Sequence, residues 1–150
     1  MNGTTMLADI GNGTMNIMYF LNRRSIISKC CTEKVGINQC LIAAKNEFMN
    51  RCGVTIDDTI IKQIIRRGKS DISQKYLDTI RTVISGYCNR VFETLQKYEY
   101  DLTRLYIVGG GARVIRSFGK NAANRVTIAD DVCSAAKGFE YIASMQLAKR

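Results

Sequence analysis

Two short apolar segments joined by an Asn-Gly pair restrict the fold of this chain more than any other feature. The run from Thr4 to Asp9 precedes Gly11-Asn12-Gly13, and the residues from Met15 to Leu21 follow with a two-residue alternation. An Asn-Gly pair between two such runs is typical of a β-hairpin. Beyond a further turn, Ser25 to Thr32 continues as a strand. The sequence therefore predicts a meander of three antiparallel strands.

After Gly36 the apolar residues recur at helical spacing. We expect a helix of about 16 residues that ends at Gly53, because glycine commonly follows the last turn of a helix. Between Val54 and Gly68, Thr55 or Asp57 can cap a shorter helix, which forms a small insertion. Five further segments follow: a long helix from near Asp71, a strand over Leu102–Val108, a helix over Ala112–Phe118, a strand over Arg125–Ile128 and a last helix from about Val132.

This order of elements predicts a single α/β domain over residues 1–150. Three antiparallel strands followed by alternating helices and strands form one mixed, five-stranded sheet with helices against its faces. The small insertion lies at about residues 54–70. The chain shows neither an internal repeat nor a low-complexity tract.

The composition predicts a cytoplasmic protein with reduced thiols. No apolar run reaches the ~18 residues that a membrane-spanning helix needs, and the amino end lacks the pattern of a secretion signal. The chain has no histidine and no C-x-x-C pair, so a zinc site is not expected. The six cysteines should pack mostly as small apolar residues: Cys30, Cys31, Cys40, Cys52, Cys88 and Cys133.

The chain carries 22 basic and 13 acidic residues, a formal net charge of +9. Such a charge attracts phosphate, nucleic acid or an acidic partner, but it does not choose among them. The basic residues are scattered along the sequence, so a solvated basic surface explains them equally well.

The first of two glycine motifs is Asp9-Ile10-Gly11-Asn12-Gly13-Thr14. Its glycines allow backbone N–H groups to approach an anion, and Thr14 adds a hydroxyl donor. Asp9 can hold magnesium through water or orient an attacking water. An ordinary type I′ hairpin turn, with Asp9 bonded to the turn backbone, accounts for the same residues.

The second motif runs from Leu105 to Arg113 and passes from a strand into a helix through Gly109-Gly110-Gly111. A glycine-rich helix N-terminus suits a phosphate or the polar edge of a nucleotide, and Arg113 can stack on a purine. It is neither a Walker loop nor a dinucleotide fingerprint. A tight packing corner is the alternative. Because both motifs follow strands, we expect them at the same edge of the sheet, where open α/β sheets bind ligands.

Together these residues resemble the superfamily of actin, heat-shock chaperones and sugar kinases. Residues 9–14 resemble its second phosphate motif, D-x-G-x-G-T, and residues 107–112 its adenosine motif. Residues 135–141 resemble its final connecting helix. The small insertion is more similar to the plasmid-partition branch, the ParM or StbA proteins, than to actin. The resemblance covers nearly the whole chain and implies a ribonuclease H-like domain, the second, C-terminal half of an ATPase.

The resemblance also implies roles for individual residues. Asp9 would act near magnesium and the γ-phosphate, with Gly11, Asn12, Gly13 and Thr14 around the β- and γ-phosphates. Gly109, Gly110, Gly111 and Arg113 would border the adenosine of ATP. Lys62, Arg66 and Arg67 of the insertion would touch base or ribose, although cations at a helix C-terminus are also explained by the helix dipole. Asn12 replaces a glycine common in the family, and Asn16 stands where an acidic residue is frequent.

Several functions remain open at this point. The leading hypothesis is the ATP-binding half of a filament-forming protein that moves plasmid DNA through an adaptor. Relatives carry a second half before the first strand, so the chain is expected to be a fragment or a truncated form with ATPase activity only when that half is restored. A ribonuclease H-like nuclease is one alternative, although the triple glycine has no role in such an enzyme. Its two-metal site would need acids that meet Asp9, and the sequence does not place any of these to do so: Glu33, Glu47, Asp130 and Asp131. A noncatalytic assembly module is the other.

Overall fold

A computed structural model describes residues 3–120, 124–129 and 131–147 of the chain. The strands are β1 Thr4–Ile10, β2 Met15–Leu21, β3 Arg24–Ser25, β4 Cys31–Glu33, β5 Arg104–Val108 and β6 Val126–Ile128. The α-helices are α1 Ile37–Cys52, α2 Asp58–Arg67, α3 Gln74–Gln96, α4 Gly110–Phe118 and α5 Ser134–Leu147. The predicted α/β architecture, a mixed sheet flanked by helices, is confirmed.

The strands lie in the order β3-β2-β1-β5-β6, and β4 also pairs with β2. β1 is antiparallel to β2, with Ile10 opposite Met15, whereas β5 is parallel to β1, with Ala8 opposite Ile107. β6 is parallel to β5. The carboxyl ends of β1, β5 and β6 therefore lie along one edge of the sheet, the carboxyl edge. Their amino ends and the β2–β3 turn lie along the opposite one, the amino edge.

The predicted third strand, Ser25 to Thr32, is divided in the structure. β3 and β4 pair with the same side of β2, and a 3₁₀ turn, Ile27–Lys29, separates them. The Ile26 N–H still donates to the Tyr19 carbonyl at 2.8 Å, but Ile27 is 81% exposed. The segment has no sustained alternation, and so it cannot keep one continuous face against the core.

The turn geometry also differs from a type I′ hairpin at Asn12-Gly13. Neither residue has a positive φ, whereas a type I′ turn needs two. Positive values occur instead at Asn22 (47°) and Arg23 (69°), between β2 and β3. The two hairpins of the meander therefore use different turns.

The core lies between one face of the sheet and helices α1, α3 and α4. Met6, Ala8 and Ile10 of β1 alternate into it, and Ile84 of α3 is fully buried there. The insertion helix α2 packs beside α1, α3 and α4 through its own apolar side, which contains Ile61, Ile64 and Ile65. As predicted, α1 ends at Gly53 and α2 ends at Gly68, and the Asp57 carboxylate caps α2 by accepting from the Thr59 N–H at 2.7 Å.

Helix α5 departs from the expected packing. Phe139, near the middle of the helix, is 74% exposed, and Tyr141 is 66% exposed. The preceding strand β6 has only three residues and offers little surface, and α4 already contacts β1, β5 and β6. Among the described residues, no helix is both long and apolar enough to cross a membrane.

All six cysteines are free thiols, as predicted, but their surroundings differ. Cys40 and Cys88 are fully buried, whereas Cys30 and Cys133 are exposed. Burial raises the pKa of both the Cys40 and the Cys88 thiol to about 12. The thiolate, which is the nucleophilic form, is therefore scarce at these two positions near neutral pH.

We expect the exposed and the buried thiols to differ in their rate of modification. In the folded chain at pH 8, a disulfide reagent should modify Cys30 and Cys133 rapidly. Cys40 and Cys88 should react only when urea unfolds the chain, because burial blocks both access and ionisation. Mass mapping of the modified peptides over time assigns each rate. Modification of Cys40 as fast as that of Cys30 would contradict the buried environment described here.

Candidate functional site

The backbone carbonyls of the loop between β1 and β2, residues 11–14, form hydrogen bonds within the loop and with α1. The Gly11 N–H donates to the Thr14 carbonyl at 2.9 Å. The carbonyls of Gly11 and Asn12 accept from the first N–H groups of α1, those of Ile37 (3.1 Å) and Asn38 (2.8 Å). The loop thus supplies the acceptors that a helix N-terminus needs.

The N–H groups of this loop are left available for a ligand. Those of Asn12, Gly13 and Thr14 donate to no other described residue. Asn12 and Gly13 are exposed, and Thr14 is half-buried. Successive unpaired N–H groups in a turn are suited to an anion.

Gly36 explains how closely α1 approaches this loop. A Cβ atom on Gly36 would lie 2.4 Å from the Asn12 carbonyl oxygen and 2.4 Å from the Gly13 carbonyl carbon. Only a residue without a side chain fits between the helix and the loop. This contact fixes the start of α1 beside the first glycine motif.

The second glycine motif packs directly against the first. Gly109 has a φ of 83°, and a Cβ atom there would lie 2.3 Å from an Asp9 carboxylate oxygen. A Cβ atom on Gly111 would lie 2.2 Å from Cγ2 of Ile10. Both glycines are buried, so the packing-corner interpretation is correct for these two. Gly110 between them is exposed, at the start of α4.

The insertion helix α2 faces the two motifs from across a cleft. The Arg81 guanidinium of α3 donates to the Gly68 carbonyl, with Nη2 at 2.6 Å, and holds the carboxyl end of α2. Lys45 of α1 pairs with Asp58 at 2.7 Å near its amino end. These contacts orient α2 so that Lys62 and Arg66 lie on the cleft.

The resulting cleft lies at the carboxyl edge of the sheet and has a volume of about 530 Å³. Its floor is apolar and its rim is basic, with no acidic residue in the lining. The lining residues come from both glycine motifs, α1, α2 and α4: Gly11, Asn12, Ile37, Asn38, Leu41, Lys62, Ile65, Arg66, Gly110, Arg113, Val114 and Val132. An apolar floor with a few cations and backbone donors suits a planar base bearing phosphates.

The structure places the predicted site residues in three groups. Gly11, Asn12, Gly110, Arg113, Lys62 and Arg66 line the cleft. Asp9, Gly13, Thr14, Gly109 and Gly111 lie in the adjoining motifs but do not line it. Arg67 is exposed on α2 and is also absent from the lining.

Sequence reasoning missed the contribution of α1. Asn38 lies in its first turn and faces the cleft, while Ile37 and Leu41 form part of the floor. Leu41 is one of the apolar residues that recur at helical spacing after Gly36, and this stripe is largely buried, with Leu41 only 9% exposed. No signal in the sequence showed that this stripe ends at an open cleft, because the hairpin loop that brings α1 there acts through backbone groups.

The described residues do not support the two-metal nuclease alternative. Among them, no three His, Cys, Asp or Glu side chains are close enough to hold a metal ion. The acids considered above have other neighbours: Glu33 accepts from Tyr98 at 2.5 Å, Glu47 pairs with Arg51, and Asp131 pairs with Lys137 at 2.7 Å. Asp130 lies outside the described residues.

The sheet topology defines an actin-like domain fold. An archaeal actin homologue, Ta0583, solved in complex with ADP, superposes with a TM-score of 0.74 at 16% identity, covering 97% of this chain and 51% of that one. The ParM of Bacillus thuringiensis with AMPPNP gives 0.68 at 13% identity, covering 99% and 48%. A non-polymerisable quadruple mutant of pCBH ParM gives 0.66 at 18% identity, covering 96% and 47%.

The chain belongs to the family described as archaeal actin homologue MreB-like, C-terminal, whose model matches residues 7–120. It spans about half the length of the solved structures it resembles. No protein of curated function matches the sequence. The predicted superfamily is therefore confirmed, while the ParM or StbA branch is not singled out, since an archaeal homologue is at least as similar in fold.

The close contact of the glycine motifs predicts that alanine destabilises the fold at Gly111 but not at the neighbouring Gly110. Gly111→Ala should lower the free energy of unfolding by about 1–3 kcal/mol, because its methyl group overlaps the stiff, β-branched Ile10. Gly110→Ala is the matched control, since its Cβ meets nothing within 4 Å. Urea unfolding followed by circular dichroism measures both. Equal stability of the two variants would show that the motifs do not pack as described.

Proposed function

We propose that this chain is the C-terminal nucleotide-binding domain of an actin-like protein and that its cleft binds ATP. One observation carries the proposal: both glycine motifs and three cations, Lys62, Arg66 and Arg113, meet around one cleft with an apolar floor. The domain extends over residues 1–150, with α2 as a small subdomain insertion.

The proposed roles follow from the position of each group. The free N–H groups of residues 12–14 lie where phosphate oxygens can accept from them. The apolar residues Ile37, Leu41 and Ile65 accommodate the base, and the guanidinium of Arg113 lies over it or against the ribose. Lys62 and Arg66 close the cleft from the side of α2.

The residues present fit a magnesium ion that is held chiefly by phosphate. Asp9 is half-buried near the end of β1, and its carboxylate accepts from no other described residue. Magnesium commonly takes one or two carboxylates and completes its shell with water and phosphates. When bound, the ion would neutralise phosphate charge, and Asp9 would hold one of its waters.

The proposal extends to filament assembly and ATP hydrolysis by the whole protein. A filament built through head-to-tail contacts, with ATP hydrolysis aided by a second half, fits the actin-like family. A plasmid-segregation role with a DNA-bound adaptor is its narrowest form. The ParM structures support that form at TM-scores of 0.66–0.68, whereas the archaeal homologue reaches 0.74, so fold similarity does not favour plasmid partition.

Nucleotide binding is tested with two neighbouring arginines of α2. Arg66→Gln should weaken Mg-ATP binding about tenfold or more, because a charge-assisted hydrogen bond contributes roughly 1.5–3 kcal/mol. Arg67→Gln changes the net charge identically from outside the cleft and should leave binding within about twofold. Calorimetric titration measures both, with Asp9→Ala to test the dependence on magnesium. Equal losses in the two arginine variants would mean that ATP does not occupy this cleft.

A further inference from the structure

A second basic feature lies at the amino edge of the sheet, away from the nucleotide cleft. The register places Thr5 of β1 opposite Arg104, and Leu105 opposite Val126. Arg104 and Arg125 are therefore neighbours on adjacent parallel strands, roughly 4.8 Å apart along the sheet. The Leu105 N–H donates to the Arg125 carbonyl at 2.9 Å, which fixes this register at the strand ends.

The β2–β3 turn brings two more arginines to the same edge. The Asn22 side-chain oxygen accepts from the Gly3 N–H at 3.0 Å, so the turn is tied to the start of β1. Arg23 and Arg24 follow directly, and both are exposed. Arg23, Arg24, Arg104 and Arg125 form what we call the arginine row. It follows the strand order from β3 to β6, over roughly 19 Å at ordinary strand spacing.

The arginine row has no ion-pair partner in the part of the chain that the structure describes. All four side chains are exposed. Residues 20–29, which carry Arg23 and Arg24, and residues 119–128, which carry Arg125, contain no Asp or Glu in the sequence. Asp101, the acid nearest in sequence to Arg104, accepts from the Gln96 amide at 3.0 Å. Arg23, Arg24 and Arg125 therefore have no acid in their own segments to offset the repulsion among the four charges, whereas Arg104 has Asp101 three residues away.

The surface beside Arg104 and Arg125 is polar. A cleft of about 410 Å³ lies beside Arg104 and Arg125, and Thr4, Asn124 and Thr127 contribute hydroxyl and amide groups to it. Guanidinium groups bind phosphate in a bidentate way, and threonine and asparagine side chains are common phosphate donors in nucleic-acid complexes. A row of this length can meet several successive phosphates of one strand, which carries a charge every 3.4 Å or so of duplex axis.

We propose that the arginine row binds the sugar–phosphate backbone of a nucleic acid without reading its sequence. This inference goes beyond nucleotide binding, because the two sites lie at opposite ends of the strands. The seven residues of β1 separate them by roughly 23 Å. Nucleic acid and nucleotide can therefore occupy the domain together.

The test measures binding of a short labelled duplex DNA over a series of salt concentrations. Two double variants remove charge from the row, Arg104→Gln/Arg125→Gln and Arg23→Gln/Arg24→Gln. Each should weaken binding at least tenfold at low salt and reduce the slope of log K against log salt by about 1.8, since each phosphate contact contributes about 0.9. Lys75→Gln/Arg90→Gln, on the exposed surface of α3, makes the same charge change elsewhere and should keep the slope.

Three outcomes would overturn the proposal. An equal loss in the α3 control would mean that net charge alone attracts the duplex. Displacement of the duplex by Mg-ATP would place it in the nucleotide cleft. Competition by poly-glutamate at lower concentrations than unlabelled duplex would identify an acidic protein as the occupant. Arg104→Lys/Arg125→Lys should retain the salt slope, which distinguishes lost phosphate contacts from a damaged fold.

Discussion

The turn between β5 and α4 approaches the end of β1 so closely that no side chain fits between them. Gly109 lies against the Asp9 carboxylate and Gly111 lies against Ile10. This contact joins the beginning of the sequence to its last third, and the parallel pairing of β1 with β5 depends on it. The edge of the sheet, the start of α4 and the position of Asp9 are all set by this one steric requirement.

A second contact, between the hairpin loop and α1, shapes the other wall of the cleft. The loop carbonyls of Gly11 and Asn12 are used by the helix, and Gly36 lets the two backbones touch. Since these two carbonyls bond to α1, the N–H groups of Asn12, Gly13 and Thr14 remain without a partner among the described residues. The same four residues therefore hold α1 against the loop and keep three backbone N–H groups unpaired beside the cleft.

Much of this organisation could be predicted from residue types and their spacing. The hairpin, the bounds of α1 at Ile37–Cys52, the insertion helix and the meeting of the two glycine motifs all follow from local patterns. The division of the third strand, the turn at Asn12-Gly13 and the exposure of α5 do not. Each depends on tertiary contacts or on their absence, and such contacts override the preferences of single residues. The contribution of Asn38 was hidden for the same reason, because backbone hydrogen bonds position it.

The two strands that pair with β1 lie at very different distances from it along the sequence. On one side it pairs with β2, a few residues away, and on the other with β5, about a hundred residues later. The hairpin can form within microseconds, whereas the second pairing requires closure of a long loop. The cleft is complete only when β1 is paired with both β2 and β5. It is thus completed only after β5 has been synthesised, and a nascent chain that stops before β5 has the hairpin loop but no cleft.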